Sequence, residues 1–372
     1  MFISFSFLYS MANFIQKILR VPVISLANKI SSKPDKARVH NALSALYENI
    51  IQGNKHKGVT IPFDAAGARF ILFSDQHKGA KNKADDFAFA EKNYLTALDY
   101  YFNEGYTFIN MGDSEELWEN MLLSVKKHNQ PSFQTEKKFF ETERGIKLFG
   151  NHDLYWANDP FASFQLQSIF GQKVPVYEGC ILHTIAGGKE LNIFITHGHQ
   201  GDAQSDGNAF SKWFVANIWA PLQSWLQVNS NTPSASDELK TLHNQFMYEW
   251  SCSKENIILI TGHTHQPVFE SLTHLERLYR QLSFAKAKNN SALVSETEAE
   301  IKKRRKEYTS MQEDFLSLRP TYFNTGCCCF SDGDITGIEI CMGYIRLIKW
   351  KYDDARNSVR EVLEEMKLEN IV

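Results

Sequence analysis

The chain has 372 residues, which is enough for one large domain with insertions or for two to three average domains. Its apolar and charged fractions, 43% and 22%, are those of an ordinary globular protein, and a net charge of -3 argues against a general nucleic-acid binder. The six cysteines include the run Cys327-Cys328-Cys329 and contain no zinc-type Cys-x-x-Cys pair. We therefore interpret them as reduced thiols and predict a cytoplasmic protein.

Residues 1–64 are predicted to form an N-terminal helical arm. The apolar stretch Met1–Tyr9 is far shorter than the roughly 20 residues of a membrane-spanning helix, and Met11 is an alternative start. Apolar side chains then recur at helical spacing, at Phe14, Ile15, Ile18 and Leu19. This pattern fits packing on the protein's own core, which we favour, or peripheral membrane contact through residues 1–30. A second helical pattern covers residues 36–52.

Three short apolar runs of buried-strand type follow, each ending in polar residues. The run 69–74 leads into Asp75 and His77, the run 106–111 into Asp113, and the run 146–149 into Gly150, Asn151, His152 and Asp153. A helical pattern over residues 84–104 separates the first two runs, which indicates a parallel strand-helix-strand unit. The same distance along the chain separates Asp75 from Asp113 and Asp113 from Asn151, as two successive crossover units would produce.

The second half of the chain repeats this arrangement with insertions. Strands are predicted at 180–185, at 191–196, which ends at His197 and His199, and at 257–260, which ends at His263 and His265. Between the last two lies a cap-like helical insertion, residues 203–256, whose many aromatic side chains are those of a cap or of core. Residues 271–319 predict a charged helical hairpin, with a solvated surface or a protein partner. Strand character returns from 321 to 350, and residues 351–372 predict a C-terminal amphipathic helix.

The strand ends together supply three oxygen donors and four imidazoles, from Asp75, His77, Asp113, Asn151, His197, His263 and His265. This mixture suits two divalent ions such as Mn, Fe or Zn better than Ca or Mg, which prefer oxygen ligands. A carboxylate shared between ions about 3.5–4 Å apart is expected in such centres, and Asp113 is the natural bridge. His152 offers a proton near neutral pH, and Asp153 a carboxylate able to hold its imidazole.

The ordered blocks Asp75-x-His77, Gly112-Asp113, Gly150-Asn151-His152-Asp153, His197-Gly198 and Gly262-His263-x-His265 resemble the calcineurin-like metallophosphoesterase superfamily. The resemblance spans about residues 69–345 and implies an α/β fold, a four-layer αββα sandwich within residues 65–350. It further implies one metal ion on Asp75, His77, Asp113 and His265. A second ion would then lie on Asp113, Asn151, His197 and His263, with His152 as general acid.

The resemblance implies a hydrolase for small phosphorylated substrates, in which metal-bridged hydroxide attacks a phosphomonoester, phosphodiester or pyrophosphate. Protein phosphatases of the superfamily carry Asp-Arg-Gly after the Gly-Asp block, whereas Gly112-Asp113 is followed here by Ser114-Glu115-Glu116-Leu117-Trp118. That pattern is similar to the UDP-2,3-diacylglucosamine pyrophosphohydrolases, so a pyrophosphatase at a membrane surface is one alternative. A non-catalytic scaffold that docks proteins through the hairpin is another.

Three further groups of residues have open roles. His199 is a spare imidazole or, as we prefer, a residue that supports the ligands. The turn Asn324-Thr325-Gly326 resembles a family turn near the site and equally suits an ordinary strand end. The cations Lys78, Lys81 and Lys83 are interpreted as a solvated loop rather than as a phosphate attractor.

Overall fold

The computed structural model describes residues 35–81, 85–118, 120–201, 237–305 and 318–371. The described helices are α1 (Lys36–Ile51), α2 (Phe87–Asn103), α3 (Leu122–His128), α4 (Gln130–Glu141), α5 (Tyr155–Asn158), α6 (Ala162–Phe170), α7 (Asp237–Cys252), α8 (His274–Ala287) and α9 (Ser291–Arg304). None of them has the length and hydropathy that a membrane crossing demands.

The described strands form two seven-stranded sheets. They are β1 (Gly58–Pro62), β2 (Arg69–Phe73), β3 (Thr107–Asn110), β4 (Gly145–Leu148), β5 (Val176–Tyr177), β6 (Gly179–Ala186), β7 (Lys189–Thr196), β8 (Ile257–Thr261), β9 (Val268–Phe269), β10 (Leu272–Thr273), β11 (Tyr322–Asn324), β12 (Ile335–Cys341), β13 (Tyr344–Tyr352) and β14 (Ser358–Lys367).

The two sheets are built from strands in different parts of the chain. One has the order β1-β6-β7-β8-β11-β9-β10, and the other has the order β14-β13-β12-β2-β3-β4-β5. In the second sheet β2, β3, β4 and β5 are parallel neighbours. The helix α2 connects β2 to β3, so the predicted strand-helix-strand unit is confirmed. Because these strands are parallel, their carboxyl ends meet at one edge.

Side-chain alternation along the strands produces the layers. In β2, Phe70 and Leu72 face the other sheet, whereas Ile71 and Phe73 pack with α2 on the outside. A third apolar cluster places α1 and α7 on the outer face of the first sheet. A strand with both faces buried has a continuous apolar sequence, as β2 does. The layers are therefore helix, sheet, sheet and helix, which confirms the predicted four-layer α/β sandwich.

The predicted N-terminal boundary at residue 64 is wrong. The strand β1 pairs in parallel with β6 over Gly58–Pro62, and α1 buries Val39, Leu43 and Ile50 against the first sheet. The segment from Lys36 onward is thus an edge strand and a covering helix of the sandwich rather than a separate arm. The predicted contact of residues 1–30 with a membrane lies outside the described residues.

The predicted C-terminal helix over residues 351–372 is also wrong. β13 continues to Tyr352, and Ser358–Lys367 forms the edge strand β14, which pairs antiparallel with β13 along its whole length. Apolar residues at 359, 362, 363 and 366 satisfy helical spacing, but they also suit a strand with one bulge. Pairing with β13 and the Arg360–Glu339 ion pair, 2.8 Å long, favour the strand.

Both predicted insertions contain helices where they are described, and their boundaries stay predictions. The helix α7 closes the first insertion, of which residues 203–236 lie outside the described part of the chain. The helices α8 and α9 form the predicted hairpin, with Asn289 and Asn290 in its turn. Its small core contains Leu275, Leu278 and Ile301, and Arg277 ties it to β14 through Glu364 at 2.8 Å.

Candidate metal centre

Five of the predicted metal ligands lie on left-handed backbone at the ends of their strands. Their φ angles are 53° for Asp75, 49° for His77, 49° for Asp113, 68° for His263 and 56° for His265. Residues with a Cβ adopt this region rarely, and such conformations concentrate at functional sites. The strained turns point consecutive side chains inward from the sheet edge.

The first half of the pocket contains Asp75, His77 and His265. The Nε2 atom of His265 lies 3.2 Å from Asp75 Oδ1 and 3.1 Å from His77 Nε2. Two imidazole nitrogens at this distance need a proton or a cation between them, because their lone pairs otherwise repel. Cys329 Sγ lies 4.0 Å from His265 Nδ1, so a thiol also borders this half.

The second half of the pocket contains Asp113, His197 and His263. The Nε2 atom of His197 lies 3.1 Å from Asp113 Oδ2. On the far side of the same ring, Nδ1 lies 3.1 Å from the Met111 carbonyl oxygen, which accepts its hydrogen. That contact favours a proton on Nδ1 and turns Nε2 toward Asp113 and the pocket, as in many metal-binding histidines.

The carboxylate of Asp113 lies between the two halves. Its Oδ1 accepts the His152 backbone N–H at 2.7 Å, whereas Oδ2 is 3.1 Å from His197 Nε2 and 3.9 Å from His77 Nε2. One oxygen is therefore held by the protein and the other faces imidazoles from both halves. This position matches the bridging role that the sequence predicted.

Four buried polar atoms of the predicted ligands make no well-formed hydrogen bond within the described residues, although two of them lie close to other predicted ligands, Asp75 Oδ1 to His265 and His197 Nε2 to Asp113. They are Asp75 Oδ1, Asn151 Oδ1, His197 Nε2 and His263 Nε2. Unpaired buried polar atoms are costly, and unmodified proteins rarely contain several at one place. All four are good ligand atoms, so this donor set fits divalent ions of the Mn, Fe or Zn type.

The electrostatics favour ionised carboxylates and divide the four imidazoles into two pairs. Burial would raise the pKa of the Asp75 and Asp113 carboxyls, but nearby imidazoles, His197 foremost, hold both pKa values below the ordinary range. For His263 and His265, burial dominates and lowers the pKa of each ring. For His77 and His197 the neighbouring carboxylates outweigh burial and raise the pKa of each ring, to about 9 for His197, so a bound cation would have to displace protons from these two rings.

The imidazole of His152 is held by Glu116, not by Asp153. Glu116 Oε2 lies 2.7 Å from His152 Nδ1 and 2.9 Å from His77 Nδ1. Burial raises the pKa of Glu116, yet these two imidazoles lower it to about 2. The Trp118 ring stacks on His152 with centroids 4.2 Å apart. The sequence analysis did not identify the role of Glu116.

The predicted role of Asp153 as the partner of His152 is therefore wrong. Its buried carboxylate accepts backbone N–H groups from Gly150 at 2.6 Å, Ser114 at 2.9 Å and Asp113 at 3.2 Å. Asp side chains often bond the backbone of their own turn in this way. Asp153 fastens the loop after β4 to the loop after β3, and burial raises the pKa of its carboxyl to about 6.

Two glycines make room for the carboxylates. A Cβ at Gly150 would lie 2.2 Å from Asp113 Oδ1, and one at Gly262 would lie 2.5 Å from Asp75 Oδ2. Any larger residue would displace a proposed ligand. The glycines in the blocks Gly150-Asn151 and Gly262-His263 are therefore required by close packing at the site.

Asn324 and His243 support the site, although the sequence leaves the role of the first open and does not indicate the second. Asn324 donates to the Gly262 carbonyl oxygen at 2.7 Å, and Thr325 Oγ1 lies 2.7 Å from Ser74 Oγ, so this turn supports the ligand loops. His243 of α7, which the sequence analysis did not single out, has its Nε2 2.7 Å from the Gly198 carbonyl oxygen. His199 packs beside His197 with ring centroids 5.4 Å apart, and its supporting role stays a prediction.

The lysines after β2 are not one solvated loop. Lys78 is fully buried, with Nζ 2.5 Å from Glu136 Oε1 and 3.2 Å from Glu115 Oε1. Lys81 pairs with Glu91 at 2.6 Å, and Lys83 lies outside the described residues. The interpretation as a solvated loop is wrong for Lys78, because its loop passes beneath the Asp113 loop, where only paired charges are tolerated.

Comparisons with known proteins give distant structural likenesses alone. No family model matches the chain, and no curated protein matches it. Vacuolar protein sorting 29 from Cryptosporidium parvum is 12% identical, with a TM-score of 0.32 over 81% of this chain and 98% of that chain. A single mutant of the same protein from Entamoeba histolytica is 13% identical, with a TM-score of 0.29 over 80% and 99%.

A dimetal phosphatase from Danio rerio is 8% identical, with a TM-score of 0.30 over 81% of this chain and 98% of that chain. All three TM-scores lie below 0.5, so these likenesses carry no argument about fold or chemistry. Conclusions about fold and chemistry rest instead on the geometry of this chain, a four-layer α/β sandwich with Asp and His donors clustered at one edge.

Proposed function

We propose that this protein is a dinuclear metal-dependent phosphoesterase of the calcineurin-like metallophosphoesterase superfamily. The observation that supports it best is the grouping of Asp75, His77, Asp113, His197, His263 and His265 at one place. Buried ligand atoms of Asp75, Asn151, His197 and His263 also make no well-formed hydrogen bond within the described residues. A core stabilised by the protein alone has no use for such a set.

The residues divide into two ligand groups in this proposal. Asp75, His77, Asp113 and His265 would hold one ion, and the second would be held by Asp113, Asn151, His197 and His263. Bound divalent ions supply Lewis acidity and positive charge for the attack of water on a phosphoester. The chain contributes ionised carboxylates to hold the ions and rigid loops to fix their separation.

His152 has the geometry of a general acid. Since Glu116 occupies its Nδ1 at 2.7 Å, Nε2 is the nitrogen left to give a proton to a leaving oxygen. Glu116 raises the pKa of His152 against the effect of burial, which favours the protonated ring. Stacking on Trp118 restricts rotation of the ring.

The substrate class is proposed more coarsely than the reaction. Gly112-Asp113 is followed by Ser114-Glu115-Glu116-Leu117-Trp118 and not by the Asp-Arg-Gly of the superfamily's protein phosphatases, which disfavours a phosphoprotein substrate. A nucleotide-lipid pyrophosphatase is the alternative that the Gly-Asp…Glu…Trp pattern favours. A non-catalytic scaffold needs neither Glu116 beside His152 nor a full ligand set, so it ranks last.

The test is a hydrolysis screen of chelator-stripped protein restored with Mn, Fe or Zn. Phosphomonoester, phosphodiester and pyrophosphate substrates are run in parallel, and bound metal is measured by elemental analysis. We expect two ions per chain and metal-dependent turnover of one class, with both lost in Asp113→Asn. Protein that binds no metal and hydrolyses nothing would support the scaffold instead.

A further inference from the structure

An exposed apolar patch lies on the segments next to the metal pocket. It consists of Met121, Leu123, Phe161 and Phe164, whose exposed fractions are 77%, 72%, 68% and 68%. These are the four highest values among the large apolar side chains that the structure describes. Single exposed apolar residues are ordinary, but such a concentration marks an interaction surface.

We propose that this patch docks onto an anionic lipid surface, and that the substrate is an amphiphilic phosphoester presented there. The second half of the proposal rests on the proposed phosphoesterase function, whereas the docking does not.

The four side chains are held outward by a shared core beneath them. Leu122 and Val125 of α3 pack in one apolar cluster with Ala162 and Leu166 of α6. Met121 and Leu123 are next to Leu122 in the sequence, and Phe161 and Phe164 lie within two positions of Ala162. Because Leu122 and Ala162 face the core, these neighbours face solvent. Lys126 joins the two helices, with Nζ 3.3 Å from both Gln165 Oε1 and Ser168 Oγ.

The patch is connected to the catalytic residues by short segments. Trp118, which stacks on His152, is three positions before Met121, a span of at most about 10 Å. The Leu117 N–H donates to the His152 carbonyl oxygen at 3.3 Å, so both segments leave the site side by side. A phosphoester held beside His152 would extend its apolar part toward the patch.

The charges near the patch favour an anionic lipid surface over water alone. The last turn of α3 is basic, with Lys126, Lys127 and His128. The nearby Asp159 accepts the Phe161 N–H at 2.7 Å and serves as the turn's internal acceptor. Exposed Phe and Leu beside lysines are typical of surfaces that insert at a lipid interface, whereas the cores of protein interfaces are depleted in Lys.

Docking is tested by vesicle sedimentation of the full chain after chelation, so that metal and catalysis play no part. Vesicles of phosphatidylcholine are compared with vesicles that also contain phosphatidylserine. We expect binding to the anionic vesicles, weakened about tenfold by the double variant Leu123→Ser, Phe164→Ser, since each exposed apolar side chain contributes to insertion. The matched control is Ile185→Ser, Met342→Ser, which alters two apolar residues of 65% and 60% exposure elsewhere.

Several results would overturn the proposal. Absence of vesicle binding by the unaltered protein would do so, as would equal binding by the patch variant, which would assign attachment to residues 1–30. A dimer that dissociates in the patch variant would make the patch an interface between copies, and binding of another protein in place of vesicles would make it a protein-docking surface. Circular dichroism and thermal melting of both variants exclude loss of folding.

The substrate half has a separate readout. Reconstituted protein is assayed on soluble p-nitrophenyl phosphate and on a phosphoester lipid embedded in anionic vesicles. We expect the patch variant to keep its rate on the soluble ester and to lose about tenfold on the vesicle-borne one. Equal losses on both would overturn this half. Vesicle binding without any hydrolysis would refute the proposed phosphoesterase function and would still support docking onto a lipid surface.

Discussion

Two imidazoles share one carboxylate at the mouth of the metal centre. Glu116 Oε2 contacts His77 on the metal-ligand side and His152 on the proton-transfer side, at 2.9 and 2.7 Å. One residue therefore orients a proposed ligand and the proposed general acid together. Its pKa of about 2 keeps it ionised at neutral pH, so both rings face a full negative charge.

Glu116→Gln is expected to weaken both functions of this carboxylate. The amide removes the charge that orients both rings, and we expect about 10-fold to 100-fold weaker metal binding, as for other residues that orient metal ligands. At saturating metal, turnover should still fall, because His152 loses its counter-charge. Titration with Mn, followed by kinetics at saturation, measures each effect. Glu91→Gln, on an exposed pair with Lys81, is the matched control, and equal behaviour of the two variants would contradict the prediction.

His152→Ala tests the general acid itself. We expect the variant to retain its metal ions and to lose about 10²–10⁴-fold in turnover on esters with poor leaving groups. Activated esters, whose leaving groups need no proton, should lose far less. Elemental analysis and a series of leaving groups measure both quantities, and an equal loss across the series would remove the assignment.

At the scale of single residues, the sequence predicted the donors better than their partners. Asp75, His77, Asp113 and the later histidines each follow an apolar run, and that position alone directs them to one sheet edge. Glu116 sits beside another glutamate, and nothing in the sequence indicates which of the two turns toward His152. Asp153 is next to His152 in the sequence, but the two side chains do not pair. The turn directs the Asp153 carboxylate onto backbone amides instead.

At the scale of elements, a buried ion network holds the ligand loops in place. Glu115 receives Lys147 Nζ at 2.9 Å and Trp156 Nε1 at 2.6 Å, and Lys78 bridges Glu115 to Glu136. The network joins the loop after β2, the loop after β3, β4 and α4. Two lysines and two glutamates balance in charge, which allows all four to be buried.

Lys147→Met is expected to destabilise the protein strongly. The change leaves Glu115 with one cation fewer in a buried place, and breaking such a pair costs about 3–5 kcal/mol. Urea denaturation gives the free energy of unfolding. Lys57→Met, which breaks a surface pair with Glu178, should cost no more than about 1 kcal/mol. Similar costs for the two variants would mean that the network contributes little.

The same network predicts an acid-sensitive component of stability. Burial raises the pKa of Glu115, but Lys147 and Lys78 lower it to about 2 from an ordinary value of 4.5. Since the folded-state pKa is the lower one, this stabilisation is complete above pH 4.5 and is lost as pH falls toward 2. Unfolding free energies measured across this window should fall less steeply in Glu115→Gln. An unchanged slope would contradict the assignment.

Among the elements, strands were predicted more accurately than the chain ends. β2 and β8 are apolar on both faces and are followed by polar or glycine residues, so their runs are distinct in sequence. β14 has a solvent-facing side, and its apolar residues at 359, 362, 363 and 366 fit a helix as well as a bulged strand. Only pairing with β13 decides between them, and that contact is not local. The sequence analysis predicts no element over residues 122–141, which form α3 and α4.

At the scale of the whole molecule, the candidate centre joins the two sheets. The second sheet supplies Asp75, His77, Asp113 and Asn151, and the first supplies His197, His263 and His265. The apolar layer between the sheets lies directly behind this edge. Bound ions would therefore fasten one sheet to the other at the point where the sandwich is open.

Metal removal is expected to lower global stability. A ligand that binds only the folded state adds about 4 kcal/mol at a thousandfold excess over its dissociation constant. Thermal melts of chelated and Mn-restored protein should differ accordingly. The melting temperature of Asp113→Asn should depend little on added metal. A chelated protein as stable as the restored one would indicate that the sheets are held without the ions.

The left-handed backbone at five donor positions narrows the choice of amino acids there. Asp, Asn and His enter that region more readily than most residues with a Cβ. A glutamate at position 75 or a cysteine at position 263 would carry this conformational penalty. It would also place its ligand atom at a different distance from the backbone. Gradual exchange of one ligand type for another is thus obstructed, and a new metal preference would require new loops as well as new donors.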